Sequence, residues 1–179
     1  MQSMTEKLVS VLTIRPYEPS DYDAVWHLHI YALQKAGAYV GDGPWDDDMR
    51  NIEGVYMNDR SIFLVGLCET QLVAMGAFRQ VTRLFPSKIL PNYPPEGLRD
   101  RAQITRMRVH PDFQGRGFGH QILRALEIQA TEFGYKTLHL ETSVLQIAAQ
   151  TLYRKNGFQE TERLVVRGLD SILFEKAIG

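Results

Sequence analysis

Arg106-Met107-Arg108-Val109-His110-Pro111-Asp112-Phe113-Gln114-Gly115-Arg116-Gly117-Phe118-Gly119 is the stretch that decides how this chain is read. Its first part, with Thr105 before it, has the alternation and β-branched content of a strand, and from Gly119 onward apolar residues recur at helical spacing. The glycines therefore fall at a strand-to-helix junction. Free backbone N–H groups and the positive end of the helix macrodipole favour an anion there, a phosphate above all. Gly117 and Gly119 carry no Cβ, so a bulky anion can reach the main chain, and Arg116 adds a charge-assisted contact.

Two phosphate motifs fail on this loop. A dinucleotide fingerprint would place glycines at 115, 117 and 120, but position 120 is His120, and a P-loop needs Gly-Lys followed by Ser or Thr. The pattern that fits is Q-x-x-G-x-G, on Gln114, Gly117 and Gly119, directly after a strand ending Val109-His110-Pro111. It resembles the coenzyme A pyrophosphate loop of the GNAT superfamily of acetyl-CoA-dependent N-acyltransferases. A second match lies downstream, where Gln146 to Phe158 resembles the family's N-x-x-A-x-x-L-Y-x-K-x-G-F helix. Ala149, Leu152, Tyr153, Lys155, Gly157 and Phe158 stand in register, and Gln146 replaces the usual Asn.

The chain has 179 residues, 44% hydrophobic and 23% charged, which is ordinary for one globular domain over residues 1–179. Lys+Arg 20 against Asp+Glu 21 gives a net charge of −1, which argues against a broadly basic nucleic-acid surface. Cys68 is the single cysteine, so no intrachain disulfide or cysteine-rich zinc site forms, and a reducing cytoplasm is expected. Leu8 to Ile14 is too short for a membrane span, and Met1 to Lys7 lacks a basic signal-peptide start. No membrane association is expected.

Along the chain, Val11 to Arg15 predicts a strand stopped by Pro16, and Ser20 or Asp21 caps a helix running to about Ala36. Asp46-Asp47-Asp48 opens a second helix reaching about Asn58. Ile62 to Cys68 and Leu72 to Val81 predict an antiparallel hairpin. Thr82 to Asp100, with four prolines, is read as a surface loop, either a functional lid or an irregular connection. Next come a strand near Ala102 to Val109, a helix from Gly117 to Phe133 closed by Gly134, and a strand from Thr137 to Thr142. After the Tyr153 helix, Phe158 to Arg167 and Ser171 to Lys176 form a closing hairpin turned at Gly168-Leu169-Asp170. The order predicts an α/β (α+β) fold, with a mixed, mostly antiparallel sheet of about seven strands flanked by about four helices. It is similar to the GNAT topology, which implies that the Ala102 and Thr137 strands run parallel and splay apart around the pantetheine arm.

The resemblance also implies roles. The acetyl group of acetyl-CoA passes directly to a primary amine on a small-molecule or peptide acceptor. Gln114, Gly115, Arg116, Gly117, Phe118, Gly119 and His120 hold the pyrophosphate. Main-chain groups of Met107, Arg108 and Val109 meet the thioester and pantetheine, with side-chain identity mattering little. Gln146 lies beside the cofactor, and Tyr153 protonates the departing thiolate. Many members carry a Glu where Gln103 stands here, so the base is sought in Glu141, Asp47 or a water chain. The missing carboxylate and the altered Asn also suit a rival, a non-catalytic acyl-CoA binding or sensing module.

Asp46-Asp47-Asp48 either attracts a cationic amine or, the favoured reading, complements a helix dipole. Tyr39, Trp45 and Tyr93 are candidates to line the same cleft. His27 and His29 lie on different sides of a helix and do not ligate a metal together, so no metal is expected. His110 ends its strand, Cys68 packs as a small hydrophobe, and a homodimer through the closing strands is common among similar proteins.

Overall fold

The computed structural model describes residues 11–81, 98–166 and 168–179. Its strands are β1 (Leu12–Pro16), β2 (Ile62–Cys68), β3 (Gln71–Gln80), β4 (Arg101–Val109), β5 (Thr137–Ser143), β6 (Gln159–Val166) and β7 (Leu169–Ala177). The helices are α1 (Tyr22–Lys35), α2 (Asp47–Arg50), α3 (Ile52–Tyr56), α4 (Phe118–Glu132) and α5 (Ile147–Lys155). The strands form one sheet in the order β1-β2-β3-β4-β5-β7-β6. Among the described strands only β4 and β5 pair in parallel, as the GNAT resemblance implies.

Strand alternation sends apolar side chains to both faces, and each face has its own core. On one, Ile122, Leu123, Leu126 and Ala130 of α4 are fully buried against Phe78, Ile104, Leu138 and Phe174. The period of those α4 residues is the helical one read from the sequence. On the other, Val25 and Leu28 of α1 with Met49, Ile52 and Tyr56 cover Phe63, Val65, Met75 and Ala77. Truncating a side chain such as Leu126 to Ala costs about 2–5 kcal/mol, because the removed contacts leave a cavity.

Several boundaries differ from the sequence reading, each for a local reason. Asp21 does not cap α1 with its side chain. Its carboxylate instead accepts from the Glu18 N–H at 2.9 Å and from Arg15 at 2.7 and 2.8 Å, closing a turn over Pro19–Asp21. The second expected helix is two short ones, because Asn51 leaves helical geometry and its side chain accepts from the Gly54 N–H at 3.2 Å, starting α3 afresh. The closing hairpin turns within two residues, since Val166 pairs with Leu169, so Leu169 and Asp170 already belong to β7. Residues 82–97, which include Tyr93 and most of the expected loop, lie outside the described residues. Among those described, no helix is long and apolar enough to cross a membrane.

Two irregularities shape the sheet's centre. β4 pairs with β5 only through Arg101 to Gln103, against Thr137 to His139, and beyond Gln103 the ladder stops. On its other side β4 is bulged, with Arg106 and Met107 together opposing Gly76 between the pairs Ala77↔Thr105 and Met75↔Arg108. Arg106 takes the left-handed conformation, φ 58. Gly76 lets the strands and α4 approach closely, since a Cβ there would lie 2.6 Å from Met107 Sδ and 2.7 Å from Ile122 Cγ2 and force those side chains to shift.

Candidate active site

The loop after β4 is built to present donors. Gln114 donates through Nε2 to the Val109 carbonyl at 3.3 Å, folding the loop back on its strand. His110 ends the strand as expected, its Nδ1 accepting from the Asp112 N–H at 3.3 Å. Gly115 and Gly117 have φ of 76 and 82, and a Cβ on either would meet nothing within 4 Å. At the start of α4 the N–H groups of Gly117, Phe118, Gly119 and His120 reach no acceptor among the described residues. This is the usual complement of open donors at a helix N-terminus.

Side chains of the predicted loop residues are less uniform. Phe118 is 1% exposed within the α4 core, so only its N–H is free to serve a ligand. Exposed His120 bonds Asn156 Oδ1 at 2.7 Å, tying α4 to the end of α5. Arg116 lies over the Phe113 ring, 4.6 Å from its centroid, and donates to the Asp112 carbonyl at 3.2 Å. The loop borders a cavity of about 700 Å³ that reaches between β4 and α5.

A second cavity, of about 390 Å³, lies on the α1 side of the splayed strands. Met107, Arg108, Gln146 and Tyr153 border both. The Met107 and Val109 side chains pack into the α4 core, which leaves their main chain as the part bordering the cavity. His110 donates its N–H back to Val73 O at 2.8 Å, so strand alternation directs the Val109 N–H toward the splayed side. The absent ladder partner distinguishes this segment from ordinary sheet.

Tyr153 is 4% exposed, and its hydroxyl has no hydrogen-bond partner among the described residues. Burial pushes the phenol up to about 12, with the Arg108 guanidinium pulling the other way, so it keeps its proton at neutral pH. Arg108 is the side chain on this strand that stands out. Arg108 borders both cavities, its guanidinium donates to the Met107 carbonyl at 2.7 Å, and burial and Arg106 lower it to about 10.

The acidic run stands at the start of α2 as expected, with Asp46 at its N-cap and Asp47 and Asp48 in its first turn, and it also holds a buried arginine that the sequence reading did not assign to it. Arg106 donates through Nε to Asp48 at 2.9 Å, through NH1 to Asp46 at 2.9 Å and through NH2 to the Trp45 carbonyl at 2.6 Å. Burial opposes the Asp48 charge, yet the Arg106 hydrogen bonds outweigh it and hold the carboxyl below its ordinary range. Asp46 accepts from His29 Nε2 at 3.0 Å as well, and Tyr56 donates to Asp48. His29 is fully buried, and desolvation with Arg108 and Arg106 nearby lowers it to about 2, so the imidazole is neutral. Asp47 is exposed at the border of this cavity and pairs with Arg50 at 2.8 Å.

Among the candidate bases, Glu141 borders the α1-side cavity and accepts from the Ser171 hydroxyl at 2.6 Å. Gln103 accepts from Arg79 Nε at 3.1 Å. Tyr39 and Trp45 line the cavity as expected. Cys68 is half-buried and borders neither cavity. Among the described residues, no three His, Cys, Asp or Glu side chains converge as a metal site. The sequence reading missed His29, Arg79 and the Arg106 and Arg108 side chains. The available signal was two arginines inside an otherwise half-buried strand, since such cations need partners.

Comparisons with known proteins bear on this geometry. N-acetyltransferase 8F1 of Rattus norvegicus is 30% identical over 131 residues, 69% of this chain and 54% of that protein. N-acetyltransferase 8B of the same organism is 34% identical over 133 residues, with the same shares. The chain thus spans about half the length of these curated relatives. An acetyltransferase of the GNAT family from Staphylococcus aureus Mu50 superposes with TM-score 0.78 at 16% identity, covering 94% of this chain and 100% of that one. The yncA protein of Salmonella typhimurium, solved with its cofactor acetyl-CoA, gives 0.72 at 20% identity, covering 95% of each chain. The model of the acetyltransferase (GNAT) family matches residues 28–158, from α1 through the phosphate-type loop to the end of the Tyr153 motif, and the chain belongs to that family.

Proposed function

We propose that this chain is an N-acetyltransferase that moves an acetyl group directly from acetyl-CoA to a primary amine. The carrying observation is the splay between β4 and β5, with two cavities that meet at Met107, Arg108, Gln146 and Tyr153. One side offers the open N–H groups of the Gly117 loop to a pyrophosphate, and the other is a polar cavity for the amine. Residues Gln114 to His120 fit the donor's diphosphate through their main chain, and Gln146 stands beside its arm.

In this reading the amine nitrogen attacks the thioester carbon, and the carbonyl oxygen becomes an oxyanion. Main-chain donors on the splayed side of Met107 to Val109 meet that charge where it develops. As the C–S bond breaks, the Tyr153 hydroxyl gives its proton to the thiolate. The proton lost by the amine leaves through Glu141, through Asp47 or along a water chain to solvent. Supporting a direct transfer, Cys68 borders neither cavity.

The test is thiol release from acetyl-CoA across a panel of primary amines, with the acetylated product identified by mass. Turnover with at least one amine is expected. Tight acetyl-CoA binding with no turnover on any amine would support the binding-module reading instead.

A further inference from the structure

Charge pairing within the α1-side cavity leaves a remainder. Arg106 is matched by Asp46 and Asp48, and Asp47 pairs with Arg50. That leaves Arg79, Arg108 and Glu141. Arg79 gives one N–H to Gln103 and Arg108 one to the Met107 carbonyl, and neither pairs with a carboxylate among the described residues. Glu141 accepts only from Ser171. The cavity wall therefore presents two cations, Arg79 and Arg108, and one carboxylate, Glu141, without an ion-pair partner at contact distance among the described residues, while the excess negative charge of Asp46 and Asp48 acts on both arginines from farther away.

Arg108 carries the argument further. Its Nε is one of two buried side-chain polar atoms without a hydrogen-bond partner among the described residues. Asp46 and Asp48 act on this cation only from a distance, and a buried guanidinium without a hydrogen-bonded counterion gains from an anion placed against it. Neither the donor's pyrophosphate nor the oxyanion formed at its thioester accounts for it. The pyrophosphate has the Gly117 loop, and the transient oxyanion has main-chain donors on the splayed strand. An arginine bordering both cavities instead suits a permanent anion on the acceptor, to which its planar fork offers paired donors.

We infer that the acceptor amine carries a carboxylate, as an amino acid does, and that the Arg108 guanidinium binds this group while Glu141 faces the ammonium end. Arg79 adds to the field. The inference rests on the amine-acceptor reading above and narrows its substrate class.

Matched pairs test it: a panel of free amino acids against the corresponding carboxamides, each assayed for kcat/KM with acetyl-CoA. The intact protein prefers the carboxylate members by about tenfold or more, the usual scale for one charge-assisted contact. Arg108→Gln lowers kcat/KM on carboxylates by about 10- to 100-fold more than on carboxamides, mostly through KM, and Arg108→Lys restores part of the difference. Calorimetry with acetyl-CoA on both variants gives the intact protein's affinity. An intact protein indifferent to the carboxylate overturns the inference, as does an Arg108→Gln loss of equal size on both members or a loss of acetyl-CoA affinity. If acetyl-CoA binds and no amine of either set is acetylated, the amine reading itself fails and this one falls with it.

Discussion

Replacing Arg106 by Met removes the cation that donates to both Asp46 and Asp48. The Arg106, Asp46 and Asp48 side chains are 10%, 4% and 10% exposed, so the carboxylates left behind gain little water. Deleting one partner of a buried ion pair costs about 3–5 kcal/mol, because the remaining charge is uncompensated. Met also keeps the left-handed backbone at φ 58, so no strain is relieved to offset the loss. Against a total stability of about 5–15 kcal/mol, the change is large, and for a chain of this size Tm falls by roughly 6–20 °C.

The pH dependence of that loss gives a sharper check. In the intact protein the Asp48 carboxyl is held below its ordinary value, so its contribution is present above about pH 4 and disappears below. Without Arg106, burial beside a second carboxylate pushes the same group up. It then takes a proton on folding, and the stability difference shrinks as pH falls from 7 to 5. Urea unfolding followed by the fluorescence of Trp26 and Trp45 measures both quantities. In the double variant Arg106→Met, Asp48→Asn, part of the loss returns. A difference below about 1 kcal/mol at pH 7, unchanged at pH 5, would refute the view that this ion cage holds the 45–48 segment against β4.

Other expectations are simpler. Tyr153→Phe lowers kcat by about 10²–10⁴-fold while leaving acetyl-CoA affinity near that of the intact protein, and unchanged turnover with chemistry rate-limiting would exclude the acid role. Gly117→Ala, at φ 82 with open space around it, costs about 1–2 kcal/mol of stability and weakens acetyl-CoA binding, whereas Gly134→Ala at φ 83 costs the same without touching affinity; equal affinities in the two would remove the loop from the donor site. Buried His29 and His139 are lowered from 6.5 to about 2 and about 4, so both are neutral when folded and protonate on unfolding. Their contribution is complete above pH 6.5 and is lost below it, by about 2–3 kcal/mol for His29 at pH 4.5 and somewhat less for His139; a flat unfolding profile between pH 7 and 4.5 would contradict their burial.

Local pattern was enough for the elements and the glycine loop before α4. The hydrophobic period of α4, the apolar runs of β2 and β3 and the glycines before Phe118 each report a conformation that depends on neighbours a few residues away. The Tyr153 motif then identified the family, and with it the splay of β4 from β5. The acceptor side was not legible in this way. Strict alternation from Thr105 would send Arg106 and Arg108 into the α4 core, and the bulge opposite Gly76 turns both to the other face. Asp46 and Asp48 read as helix-start residues and stand at the start of α2, but their pairing with Arg106, some 60 positions away in sequence, was not legible. Thus the sequence alone determined the elements and the conformation of the glycine loop before α4, both products of short-range periodicity and backbone freedom. Only the tertiary structure decided which charges cancel and which remain in the cavity, because charge pairing depends on distance in space.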